Sequence, residues 1–171
     1  IDFPNLIKIN TRFGCFKNCY SLKKVNMKNV NSISGSTFSY CSQLENVNLP
    51  KAEYIGGRAF YNTGIKTISL PNAREIGKEC FMNSALEIIN APKLEKIGEY
   101  CFAGFNEFQG VIIENSSLKN FYAPSITTVG EYAFAYASGI EVLNLPSVTT
   151  IGENAFFEST VARRQPRRAY R

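Results

Sequence analysis

Cysteine is the residue of this 171-residue chain with the clearest capacity for chemistry. Three residues separate Cys15 from Cys19, and with Cys41 they form only a weak metal-binding pattern. The sequence contains no histidine, so histidine-activated nucleophiles and histidine metal sites are excluded. Its glycines form no phosphate-binding loop. The sequence therefore predicts no catalytic residue, no cofactor, no metal site and no enzyme activity.

A short sequence repeat determines where the cysteines lie, and each copy of the repeat can be recognised by one phenylalanine at a fixed position. Most copies have Ile or Val, then a glycine that allows a tight turn, and end in Ala or Cys followed by Phe. Steps of 21 or 22 residues separate the markers, apart from one step of 32. Such a period predicts a solenoid in which each coil packs on its neighbours. The markers are Phe16, Phe38, Phe60, Phe81, Phe102, Phe134 and Phe156.

The second half of each repeat predicts a β-strand. Polar and apolar residues alternate from Asn46 to Leu49, the two-residue periodicity of a half-buried strand, and Pro50 ends it. The first half, for example residues 131–135, favours a short helical turn. Each coil is thus predicted to hold one strand, a corner and a helical piece. Strands of successive coils would lie parallel, about 4.8 Å apart.

The repeat offers a structural interpretation of the five cysteines. Cys15, Cys80 and Cys101 occupy the small position before the marker phenylalanine, and we predict that the cysteines act as buried apolar spacers. Adjacent coils would bring Cys19 near Cys41, and Cys80 near Cys101, within disulfide distance, although in-register side chains often have the wrong angle. Because their number is odd, at least one thiol stays free in a monomer.

The strand positions on both sides of the buried central residue would point out of the sheet. They carry mostly amides and hydroxyls, with Ile88 and Tyr122 as apolar anchors. We predict that this surface contacts a protein or glycan partner. The alternative is a polar ladder that only keeps the solenoid soluble. The predicted contact residues are Asn26, Asn46, Asn48, Thr67, Ser69, Ile88, Asn90, Asn120, Tyr122 and Asn144.

The 32-residue step contains an insert at residues 104–117. Insertions in solenoids form loops on one face and often carry recognition. Its Phe105, Phe108 and Ile112 would suit a protruding contact loop or an extra strand. A tolerated bulge folded back on the body is the alternative.

The net charge of +5 comes entirely from the C-terminal segment. Residues 161–171 hold five arginines and no acid, so 14 of the 19 basic residues remain in the body against 14 acidic residues. We interpret this basic tail as an exposed appendage; a nucleic-acid arm is the alternative. In the body, one repeat position alternates in sign and should help to fix the register of the coils. These residues are Lys23, Glu45, Lys66, Glu87, Lys119 and Glu141.

The repeats resemble the BspA-like, Treponema pallidum-type leucine-rich repeats. Residues 55–60, 76–81 and 151–156 (IGGRAF, IGKECF and IGENAF), joined to the strand units, carry the resemblance. It implies an α/β, right-handed leucine-rich-repeat solenoid with a concave parallel β-sheet and short helical or 3-10 segments on the convex side. We therefore expect one domain over residues 1–160, with about seven repeats of 21–22 residues, followed by the basic tail.

The resemblance also guides the prediction of function. Such repeats are common in secreted and surface proteins of bacteria and of some parasitic protists, where adhesion and host-protein binding are usual roles. We predict a non-enzymatic protein- or glycan-binding module of a secreted or cell-surface, adhesin-like protein. One alternative is a segment of a longer repeat array that acts as an architectural spacer or self-associates end to end. The second alternative is an intracellular protein-interaction scaffold. Nucleic acid is not the expected partner, and no apolar stretch is long enough to span a membrane.

Overall fold

The computed structural model describes residues 1–9, 14–108, 111–114, 117–140 and 143–159, and these form thirteen strands and no helix. The basic tail lies outside the described residues. The strands are β1 Lys24–Asn26, β2 Ser32–Ile33, β3 Asn46–Asn48, β4 Tyr54–Ile55, β5 Thr67–Ser69, β6 Glu75–Ile76, β7 Ile88–Asn90, β8 Lys96–Ile97, β9 Phe105–Phe108, β10 Val111–Glu114, β11 Asn120–Tyr122, β12 Thr128–Val129 and β13 Thr150–Ile151.

The three-residue strands β1, β3, β5, β7 and β11 form one wall of a parallel β-solenoid, which we call the groove sheet. Its strands pair in parallel with equivalent residues opposite each other, for example Val25 with Val47 and Ile89 with Phe121. The predicted strand of each coil and its parallel stacking are therefore confirmed in this wall.

A seam divides the groove sheet between β3 and β5. These strands lie side by side, but the ladder is formed only within β1–β3 and within β5–β7–β11. Leu44 follows Phe38 by six positions, whereas Ile65 follows Phe60 by five. The corner that leads into the strand is thus one residue shorter in the coils of β5 and β7 than in the coils of β1 and β3. The seam lies where this length changes.

A second parallel sheet consists of the two-residue strands in the order β13-β12-β8-β6-β4-β2. Its register stacks the Ile or Val that begins each phenylalanine motif, as in Ile33 with Ile55 and Ile55 with Ile76. The sequence predicted one strand per coil and so missed this sheet. A two-residue strand is too short to show an alternating pattern.

The core is a continuous stack of the seven marker phenylalanines. Successive ring centroids lie 5.1–5.5 Å apart and the rings are tilted by only 1–23°. Phe38, Phe60 and Phe134 are completely buried. The rings pack between the two sheets with the Ile, Leu, Val and Ala side chains of each coil. The predicted internal column is confirmed.

The segments around these phenylalanines are successive turns, so the predicted helical or 3-10 segments are wrong for the described residues. Arg58 and Asn62, on either side of Phe60, have φ angles of 58° and 56°, outside the range of a right-handed helix. The amides of all three donate to the following coil at 2.9–3.1 Å, so they make no bonds of an α-helical turn. The described fold is therefore all-β rather than α/β. Among the described residues, no helix has the length and apolar character needed to cross a membrane.

The glycine of the motif is required by the close approach of coils. A Cβ built on Gly98 would lie 2.5 Å from the backbone nitrogen of Lys78, and one on Gly77 would lie 2.7 Å from that of Gly57. Backbone cannot move aside as a flexible side chain can, so a larger residue would push the coils apart.

The insert at 104–117 contains an antiparallel hairpin. β9 pairs with β10, with Phe108 opposite Val111 and Glu107 opposite Ile112. Of the two predicted structures, a protruding loop or an extra strand, the backbone thus forms added strands. Its role in recognition stays a prediction.

Removing one ring should break the stack. Phe81 is 2% exposed and lies between Phe60 and Phe102. We expect Phe81→Ala to lower the free energy of unfolding by about 3–5 kcal/mol, because a cavity replaces the buried ring. Urea unfolding followed by circular dichroism measures this. Tyr20→Ala, at a side chain that is 58% exposed, serves as the control and should change little; equal losses would contradict the buried stack.

Gly98→Ala should destabilise the protein by about 1–3 kcal/mol through the clash between coils. Gly35→Ala is the matched control, because its Cβ would meet only the Gly57 carbonyl oxygen, at 3.2 Å. Thermal unfolding of both variants measures these losses of stability. If Gly35→Ala costs as much as Gly98→Ala, close approach is not the reason for the glycine.

Candidate binding groove

The groove sheet carries an open groove of about 720 Å³. It spans β1, β3, β5 and β7, and of the predicted contact residues seven line it. The structure therefore brings most of the predicted residues to one surface. The seven are Asn26, Asn46, Asn48, Thr67, Ser69, Ile88 and Asn90.

Two of the other three predicted residues extend the same wall beyond the groove. Asn120 and Tyr122 belong to β11 and pair with Ile88 and Asn90 of β7. Asn144 is exposed, after residues 141–142, which lie outside the described residues. The groove lining also includes Ile1, which the sequence analysis did not single out, and the Ile1 amino group donates to the Lys24 carbonyl oxygen at 2.8 Å.

Burial along each strand explains why the flanking side chains face the groove. Val47 and Ile68 are 7% and 4% exposed and pack on the core, whereas their neighbours in the strand are exposed. A β-strand alternates its side chains between two faces, so burial of the central apolar residue turns both polar neighbours outward.

The amides of the groove are only partly engaged with each other. The Asn48 side-chain amide donates to the Asn26 side-chain oxygen at 2.8 Å. This bond supports the polar-ladder alternative for that pair. An asparagine has two donor hydrogens and an acceptor oxygen that can form two bonds, so one such bond leaves capacity for a ligand.

Two apolar side chains stand in this polar surface. Ile88 is 43% exposed and Tyr122 is 58% exposed. They lie diagonally on the neighbouring strands β7 and β11, where long side chains are within reach of one another. A partner that covers this part of the sheet would remove both side chains from water in one contact.

The groove carries little charge. Lys24 is the only charged side chain among its lining residues. Beside the strands, the column of alternating sign includes Glu87 and Lys119, whose side chains form an ion pair at 2.7 Å. The hydrogen bond and charge of Lys119 hold the pKa of Glu87 below its usual value. Exposed pairs of this kind add little stability but cancel charge along the edge.

The other edge of the groove is held by side-chain bonds to prolines. Three residues that follow a proline, Asn72, Ser125 and Ser147, donate from their side chains to the proline carbonyl oxygen of the preceding coil at 2.7–2.9 Å. Lys51 and Lys93, which also follow prolines, donate instead to the side-chain oxygens of Asn29 and Asn72. These bonds join coils where the chain leaves the groove sheet, so the groove rests on a fixed edge.

The cysteines divide into exposed and buried thiols. Cys41, Cys80 and Cys101 are completely buried, as predicted, whereas Cys15 and Cys19 are exposed. The spacer prediction is wrong for these two, which lie in the first phenylalanine turn. All five are free thiols.

Burial governs the acidity of these thiols. It raises the pKa of Cys41 to about 11, and the Cys41 thiol donates to the Phe16 carbonyl oxygen at 3.0 Å. The pKa of Cys80 and of Cys101 is also raised, chiefly by burial. Among the described residues, no group of three or more His, Cys, Asp or Glu is placed to hold a metal ion, which speaks against a Cys15–Cys19–Cys41 site.

These features define a leucine-rich-repeat solenoid with an open sheet. The sequence matches the family described as BspA type Leucine rich repeat region, in six copies over residues 1–87 and 74–160. The chain therefore belongs to the BspA-type leucine-rich repeat family. No curated protein matches its sequence.

Solved bacterial structures share the fold. A leucine-rich repeat protein of Bacteroides ovatus is 22% identical with a TM-score of 0.55, over 89% of this chain and 50% of that one. One of Eubacterium ventriosum is 18% identical with a TM-score of 0.52, over 88% and 46%. A leucine rich cell surface protein of Faecalibacterium prausnitzii is 18% identical with a TM-score of 0.44, over 84% and 53%. The chain spans about half the length of these proteins.

Thiol labelling tests the environment of the cysteines. With a maleimide at pH 8, we expect Cys15 and Cys19 to react quickly and Cys41, Cys80 and Cys101 to react only as the protein opens, because burial excludes the reagent and disfavours the thiolate. Mass spectrometry of labelled peptides identifies the sites. Rapid labelling of Cys80 or Cys101 in the folded protein would contradict the buried positions.

Proposed function

We propose that this chain is a non-enzymatic binding module that engages a macromolecular partner through the groove sheet. The observation that carries the proposal is an open groove of about 720 Å³, lined by neutral polar side chains on a stacked scaffold. Nothing in its lining supplies a nucleophile, an acid–base pair or a metal site, which supports binding rather than catalysis.

The scaffold favours binding because the contact residues are already held in place. Both neighbours of each central strand residue are fixed outward by burial of that residue, so little ordering is required when a partner binds. Tyr122 and Ile88 offer the exposed apolar area that anchors of an interface need. The hairpin of β9 and β10 emerges between β7 and β11 in the chain and is proposed as an additional contact through Phe105, Phe108 and Ile112.

We further propose a secreted or cell-surface setting and an adhesion-like role. Membership of the BspA-type family supports this, since such repeats are common in surface proteins. Glycan and protein partners are both compatible with the family, and the groove itself offers a way to choose between them.

End-to-end self-association is a second candidate, favoured by exposed apolar side chains at the edge of the second sheet. Ile151 in the edge strand β13 is 56% exposed and the nearby Phe157 is 43% exposed. An apolar sheet edge can pair with another copy. Sedimentation velocity over a concentration series tests it: Ile151→Asp should abolish any association, and a chain that stays monomeric at all concentrations rules the candidate out.

Charge placed in the groove sheet should abolish binding. We expect the double variant Asn90→Glu, Tyr122→Glu to weaken any partner that binds the chain by at least about tenfold, because it buries unpaired carboxylates in the contact. Surface plasmon resonance against purified extracellular-matrix proteins and immobilised oligosaccharides measures this. Tyr20→Glu is the matched control, since Tyr20 has the same 58% exposure outside the groove. Unchanged affinity of a folded double variant would remove the groove sheet as the site.

A further inference from the structure

We infer that the groove binds a linear, neutral glycan that lies along the solenoid axis and crosses the strands. This inference rests on the proposed function and names the chemistry of the partner. The groove spans four strands, which is about 14 Å at the spacing of parallel strands. That length suits several linked sugar rings.

The charge of the groove selects a neutral partner. Lys24 and the Ile1 amino group, both at one end, carry the only charges among the lining residues, and the adjoining column alternates in sign. An acidic polymer would require a line of cations, and a strongly basic partner would require carboxylates. Neither is provided along β3, β5 and β7.

The polar groups of the groove match hydroxyls. Asn46, Asn90 and Thr67 present both donors and acceptors and are exposed in neighbouring strands. A sugar hydroxyl also donates and accepts, so it can rotate to fit either group.

The spacing of the coils disfavours an extended peptide. Along the axis, equivalent side chains repeat every 4.8 Å or so, whereas an extended peptide repeats its side chains and amides on one face about every 6.6–6.8 Å. The peptide repeat and the coil spacing therefore fall out of register within two coils. A peptide turned parallel to the strands would meet only three residues of each strand. Sugar rings, whose hydroxyls lie along both edges, tolerate the shorter period.

An apolar platform completes the site. Tyr122 is 58% exposed and lies opposite Asn90 in the neighbouring strand, next to the end of the groove. An exposed phenol ring can pack against the C–H face of a sugar while its hydroxyl and the Asn90 amide bond to the ring hydroxyls. Ile88 adds apolar area beside it.

The test is an oligosaccharide array followed by calorimetry. The array carries neutral linear gluco-, manno-, xylo-, galacto- and N-acetylglucosamine oligosaccharides, acidic heparin and polygalacturonate fragments, and unstructured peptides. We expect wild-type protein to bind a neutral oligosaccharide, with an affinity that changes less than about twofold between 0.05 M and 1 M salt because no charge pairs are made.

Variants locate the binding. The double variant Asn46→Ala, Asn90→Ala should weaken the neutral oligosaccharide by at least about tenfold, whereas Asn31→Ala, an exposed asparagine outside the groove, should leave it unchanged. All three substituted side chains are on the surface, and circular dichroism confirms folding of each variant.

The outcomes separate this inference from the proposed function. Failure of the wild type to bind any neutral oligosaccharide overturns the inference. If an acidic fragment, a peptide or a protein binds instead and Tyr122→Glu abolishes that binding, the groove function stands and the glycan assignment falls. If a neutral oligosaccharide binds equally to every groove variant, both fall.

Discussion

Contact between consecutive coils is the interaction on which the rest of the structure depends. Phenylalanine rings stack 5.1–5.5 Å apart through the core, and alternate amides of the turns donate to the next coil. Both contacts require a close approach, which the glycine of each motif permits. Because every coil is held by its neighbours in this way, short strands that would be unstable alone become parts of continuous sheets.

The binding surface is a consequence of that stacking. Each strand of the groove sheet gives its central side chain to the core and has only its two flanking residues to present outward. Repetition turns these pairs into two polar columns whose spacing is set by the coils. A partner at the proposed site would therefore meet a regular, largely neutral array, in contrast to the few convergent charged groups of a catalytic pocket.

Much of this could be predicted from sequence because the period is nearly constant. The column of phenylalanines and the outward side chains such as Asn46 followed from phase and alternation. The turns were misread as helical because Tyr132 and Ala133 favour a helix locally, whereas the φ angle of 51° at Tyr132 is imposed by bonds to the next coil. The second sheet depends on pairing between coils, and the seam lies where the corner length changes by one residue; neither leaves a periodic signal in the sequence.

The central claim is that the stacked coils exist to present the groove sheet to a partner. Amide chemical-shift mapping by NMR, with any partner that binds, tests it most directly. The account predicts that the shifted amides cluster in β1, β3, β5, β7 and β11. Shifts confined to the opposite turns, around Tyr40, Tyr61 and Tyr136, with the groove sheet unchanged would contradict it.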